Sequence, residues 1–251
     1  MSLLRTESVR TLGSACSLGN PDRVKRPRSL IIGAGATYHV VSRGVRRLPI
    51  FYDDLDRAWF SEDLTRIVRD LGWRCHAYCL MSNHYHLLVR TPDPDLSVGM
   101  WRLNQRHALR INRRHSFVGH VFEGRFFAEL IENDRYFVAV ARYIDQNPVR
   151  ATICRSAEAW AWSGCAATLG LRRRLPFFDP SDVLAYYSGD LESARTMYAL
   201  SLQDFSRPSL LSPAPSPGLG TVPVQPKPYV PAKRSASSRT SSAPGRPTTF
   251  R

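Results

Sequence analysis

The apolar and β-branched positions of TYHVVSRG, residues 37 to 44, predict a strand that ends at Gly44. Asp53 or Asp54 then opens a segment in which Phe60, Leu64, Ile67, Val68 and Leu71 share one helical face, with Gly72 placed to close it. WRCHAYCLM (73–81) and HYHLLVRT (84–91) return to the period of a strand and are joined by Ser82 and Asn83, so they read as a hairpin. PDPDLS makes a turn, and Ser97 caps a second helix running to about His115. RFFAELIE (125–132) is a fourth strand, and Asp134 begins a third helix that Asn147 and Pro148 end at about Gln146.

Strand, helix, strand, strand, helix, strand, helix is the split βαβ order of a ferredoxin-like antiparallel sheet, an α+β fold with helices on one face. That layout hosts many chemistries, so function must come from particular residues. The two ends of the chain differ from the middle. Residues 206–251 hold ten of the eighteen prolines and seven Lys/Arg with no acid, a composition that cannot bury enough apolar surface to offset its ordering entropy and predicts disorder. Residues 1–30 lack a sustained period and are expected to form a flexible basic arm, and residues 171–205 a C-terminal helical extension. Most of the net charge of +14 therefore sits in the tails, where it implies solvation or contact with a polyanion.

Five scattered cysteines (Cys16, Cys75, Cys79, Cys154, Cys165) argue against a disulfide framework. The Cys75/Cys79 spacing lacks a second pair, so buried inert thiols fit better than zinc ligands. Neither a secretory signal nor an apolar run of membrane-spanning length is found, which points to the cytoplasm.

The run CLMSNHYHLLVRT carries the candidate chemistry. Alternation puts His84, His86, Leu88 and Arg90 on one face and Tyr85, Leu87 and Val89 on the other, which suits a helix-covered core. The imidazoles are then expected on the exposed side, about 7 Å apart, where one divalent cation can bridge them and polarise a phosphate oxygen. Two hydrogen-bonded surface histidines are the alternative.

SNHYHLLV resembles the HUH motif (His, bulky apolar, His) of the insertion-sequence-200-like, single-tyrosine transposases, and of their REP-associated branch in particular. GATYHVVSRGVRRLPIFYDD, GWRCHAYCLMSNHYHLLV, RLNQRHALRINRRH, GHVFEGRF, YIDQNPVRA and WAWSG are similar in the same order, so residues 31–170 are assigned to such a domain. The resemblance implies DNA transposition through single-stranded DNA next to a palindromic hairpin. It implies Mg²⁺ or Mn²⁺ held by the histidine pair, and a tyrosine that attacks the scissile phosphate to give a 5′-phosphotyrosine and a free 3′-OH.

The resemblance also places that tyrosine on the helix RLNQRHALRINRRH, where this chain has His107 and Arg110. His107 falls on the stripe of Met100, Leu103, Ile111 and Arg114 and is a candidate third ligand, substitute nucleophile or packed residue. The alternative to an active transposase is accordingly a hairpin-binding relative with impaired cleavage, as monomer or homodimer. Arg43, Arg47, Arg106, Arg110, Arg113, Arg114 and Arg125 are candidate phosphate contacts, because a guanidinium offers paired donors and stays charged. GHVFEGRF combines residues that stack on a base or pack in a turn, and YIDQNPVRA reads as structural, with Tyr143 and Ile144 packed and Arg150 within reach of DNA.

Overall fold

The computed structural model describes residues 33–203; the N-terminal arm with Cys16 and the Pro/Ser-rich tail, for which flexibility was expected, lie outside them. Four strands, β1 (Thr37–Arg43), β2 (Arg74–Leu80), β3 (His84–Arg90) and β4 (Phe127–Leu130), form an antiparallel sheet in the order β2-β3-β1-β4. β1 and β2 flank β3, so α1 (Asp54–Asp70) crosses over it as the split βαβ order requires. The other long helices are α2 (Leu96–His115) and α3 (Asp134–Arg150), followed by the short α4 (Cys165–Thr168) and α5 (Ser181–Ala185) and by α6 (Leu191–Gln203). No helix among the described residues is long and apolar enough to cross a membrane.

Local chemistry sets the ends of these elements. Asp53 caps α1 by accepting the Asp56 N–H at 3.1 Å, and Gly72, at φ +65°, takes the chain out of it. α2 starts one residue before the expected cap, with Asp95 in the cap position and its carboxylate accepting the Trp73 indole N–H at 2.8 Å. Gly99 belongs there because a Cβ would meet the Trp73 ring at 2.3 Å. α3 runs through Pro148 to Arg150 instead of stopping at Gln146. The missing proline N–H falls in the last turn, where Asn147 lends its side-chain amide to the Tyr143 carbonyl at 2.9 Å.

Two cores lie on opposite sides of the sheet. On the first, Phe60, Leu64 and Ile67 of α1 and Leu96, Met100, Leu103 and Ile111 of α2 pack on Tyr38, Val40, Tyr85, Leu87 and Val89. Each such side chain contributes roughly 1.5–3 kcal/mol of burial. On the second, Val140, Ala141, Tyr143 and Ile144 of α3, with Ala194, Tyr198 and Leu202 of α6, cover Ala77, Cys79 and Leu88. The α+β antiparallel sheet is as expected, but helices cover both faces and not one. The middle of the second strand face is apolar around its histidines, with Val41, Ala77, Cys79 and Leu88 buried there, and an apolar sheet surface in water is unstable without a cover. Cys75, Cys79 and Cys165 are free and buried within these cores.

Candidate active site

Strand alternation places His84 and His86 as the sequence indicates, opposite Tyr85, Leu87 and Val89, but the face they occupy is not open. α3 lies over it, leaving His86 fully buried and His84 5% exposed. A third imidazole, which the sequence reading passed over, joins them: His39 of β1 sits 3.0 Å from His86 Nδ1 through its Nε2, with the two rings stacked at 5.2 Å. His84 and His86 stand edge to face at 5.1 Å.

The surrounding hydrogen bonds fix part of the proton arrangement. Asn83 donates its side-chain N–H to the Arg47 carbonyl at 3.1 Å, which turns its oxygen to His84 Nδ1 at 2.6 Å. His84 Nδ1 therefore carries the proton, and its Nε2 keeps a lone pair. His86 Nε2 is buried without a hydrogen-bond partner. Burial, reinforced by the nearby Arg43 guanidinium, lowers the His84 pKa to about 4; burial and then the neighbouring His84, His39 and Arg43 hold His86 well below its ordinary value. Both rings are neutral at neutral pH, the state in which an imidazole binds a metal.

Tyr143 of α3 closes this cluster from above. Its ring lies edge-on to His86 at 5.7 Å and to His39 at 5.9 Å, and the Arg150 guanidinium stands 5.4 Å from its centroid. Burial raises the phenol pKa, while Arg150, a side-chain hydrogen bond with Asn147 and Arg43 act in the opposite direction. Tyr143, Asn147 and Arg150 recur at i, i+4 and i+7, one stripe of hydrogen-bonding groups along α3. That stripe was the available signal, and a reading of YIDQNP as a helix stop hides it.

The other sequence candidates fall elsewhere. His107 faces the sheet, but from the α1–α2 side: its Nε2 donates to the Ile50 carbonyl at 2.7 Å and its ring packs on Phe51 and Phe60. The sheet therefore separates it from the histidine pair, which removes it as ligand or nucleophile and leaves the packed reading. Burial lowers its pKa to about 4. Arg106 and Arg110 of α2 pair with the buried Asp63 at 3.4 and 3.2 Å, and Arg114 with Asp53 and Asp56 at 2.5 and 2.6 Å. Arg110 and Arg114 also stand over the Trp59 ring. These three arginines hold α2 to α1, whereas Arg113 and Arg125 are exposed.

Beside the histidines the chain is basic for a different reason. Arg43 pairs in register with His84, and Gly44, where a Cβ would meet the Leu48 carbonyl oxygen at 2.1 Å, starts a tight turn. Arg46 and Arg47 in that turn adopt left-handed backbone at φ +53° and +60°, an uncommon state held by the Asn83–Arg47 bond and by Gly44 N–H donating to the Asn83 carbonyl at 2.8 Å.

Among solved structures, a REP-associated tyrosine transposase bound to a REP hairpin is similar, at 18% identity and TM-score 0.48 over 60% of this chain and 88% of that one. No curated protein matches. The family model described as transposase, IS200-like, matches residues 34–147, which span β1 to the Tyr143–Asn147 turn of α3. Through those residues, the chain is similar to the IS200-like transposase family.

Proposed function

We propose that this protein binds hairpin DNA with a single-stranded flank and cleaves and rejoins it with Tyr143 as the nucleophile. The observation that carries the reading is the packing of Tyr143 against His86 and His39, with Arg150 at its ring. The phenol oxygen bonds to phosphorus as the P–O3′ bond breaks, and the proton lost by the phenol is passed through water to the departing O3′, so the products are a 5′-phosphotyrosine and a 3′-OH. Attack of the 3′-OH on the phosphotyrosine reverses the step, so rejoining needs no outside energy.

His84 and His86 suit a divalent cation such as Mg²⁺ or Mn²⁺: each is neutral, and in each the Nδ1 is engaged by an outer partner, Asn83 or His39, which leaves Nε2 for the ion. No group of three or more acidic, histidine or cysteine side chains among the described residues is arranged to hold an ion. The pair therefore supplies two ligands, with phosphate and water completing the set. When bound, such an ion polarises a phosphate oxygen. Arg150 and Arg43 steady the phosphate's charge. Arg47, Arg113 and Arg125 remain candidate backbone contacts; Arg106, Arg110 and Arg114 do not, since α1 carboxylates occupy them.

Incubating the protein with Mn²⁺ and a hairpin oligonucleotide carrying a single-stranded flank is expected to release a fragment whose 3′-OH a polymerase can extend, and Tyr143→Phe is expected to abolish it. Hairpin binding with no cleavage by the unmodified protein would establish a non-catalytic binder instead.

A further inference from the structure

The loop after α2 ends in an unusual tip. Ser116 takes left-handed backbone at φ +56°, Gly119 lies at φ +103°, and Val118 between them is 100% exposed. A lone exposed valine is ordinary on a protein surface, but this one stands on a built base. The Phe117 N–H donates to the Asn112 carbonyl at 3.0 Å, and the Asn112 side chain donates to the Gly119 carbonyl at 2.9 Å. Phe117 stacks on His115 at 5.5 Å, and Tyr52 packs against both at 4.5 and 5.4 Å. The tip is an apolar point on a braced aromatic footing.

That footing is tied to the histidine strand. Val45 N–H donates to the Val121 carbonyl and Glu123 N–H to the Arg43 carbonyl, both at 2.9 Å, and Gly44 bridges Phe122. Residues 121–123 thus run beside 43–45, which run beside His84, two strand spacings or about 10 Å in all. Val118 is three residues further on, within about 20 Å of His84, or about six stacked nucleotides at about 3.4 Å each. The two loops and the end of α2 carry Arg43, Arg46, Arg47, His115, His120 and Arg125 against Glu123 as the one acid.

We propose that the 116–120 tip is a DNA wedge: Val118 enters the base stack where a hairpin stem meets its single-stranded flank, while Arg46, Arg47 and Arg125 hold the phosphates around it. An apolar side chain inserted at a base step must unstack it, which costs least where pairing already ends. Such a wedge recognises the junction and leaves the strand beyond it separated, within about 20 Å of the histidine pair. The inference rests on the DNA reading above and deepens it.

A hairpin with 2-aminopurine at the stem–flank junction tests it. Binding by the full chain is expected to raise the fluorescence severalfold. Val118→Ser is expected to remove that rise and weaken junction binding about tenfold, while Val118→Leu retains both. Because the residue is fully exposed, neither variant disturbs the fold. A bound complex with no fluorescence rise, or a Val118→Ser protein identical to the parent, overturns the wedge and leaves the function reading standing. A parent chain that binds no hairpin overturns both.

Discussion

The two faces of the sheet use the same residue types for different ends. On the α1–α2 face, His107 is neutral, buried and bonded to the Ile50 carbonyl, and arginines lock onto Asp53, Asp56 and Asp63. On the α3 face, His39, His84 and His86 face one another and the Arg150 guanidinium stands by the Tyr143 ring, while each face holds one buried imidazole nitrogen without a hydrogen-bond partner, His107 Nδ1 on the first and His86 Nε2 on the second. A single imidazole bonded to a carbonyl among aromatic rings is structural; three neutral imidazoles gathered beside a phenol and guanidinium groups have the composition of a binding site. Residue type and helical position alone do not separate these cases.

The sharpest way to break the contrast is to remove one histidine from each face. His86→Ala is expected to lower Mn²⁺-dependent cleavage by about a hundredfold or more in a single-turnover assay, on the scale of losing an essential ion contact. His107→Leu orphans the Ile50 carbonyl and is expected to cost about 1–3 kcal/mol in urea denaturation with the cleavage rate unchanged. Equal rates for the two variants would erase the distinction.

The next effect is in stability against pH. Asp145 of α3 is buried, accepts the Tyr198 hydroxyl at 2.7 Å, and has its pKa raised by burial to about 7. A carboxyl raised in the folded state binds more protons folded than unfolded, so stability falls as pH rises from about 4 to about 7, by up to about 4 kcal/mol. Asp145→Asn should therefore raise Tm at pH 8 and change it little at pH 5. The buried histidines work in the opposite sense: His84 and His107, lowered to about 4, lose their support for the fold as pH drops from about 6.5 toward 4. The smallest expected effect is on hairpin affinity for Arg110→Ala, which should lower Tm and leave binding within twofold because Asp63 already engages that arginine.

Much of the fold was legible because it rests on local periodicity. The four strands, the three long helices, the start of α1 at Asp53 or Asp54 and the Gly72 exit all follow from spacing, and the division of β3 into a Tyr85 face and a His84 face follows from alternation. What alternation does not show is which helix covers which face. α2 and α3 are both amphipathic, and only the tertiary crossing places His107 and Tyr143 on opposite sides of the sheet. Tyr143 was read as a packing residue, and it does pack, against imidazoles. His39 went unnoticed because its partner is 47 positions away, across the β1–β3 pairing. The arginine stripe of α2 looked like a DNA surface because its carboxylate partners lie on another helix, at separations of 43 to 61 residues.

The central claim is that the reactive hydroxyl belongs to α3. After reaction with Mn²⁺ and the flanked hairpin, denaturation in SDS and digestion, mass mapping of the nucleotide-bearing peptide tests it directly. The account predicts the nucleotide on Tyr143, within the peptide Tyr143–Arg150. Attachment at His107 or at any residue of α2 would contradict it.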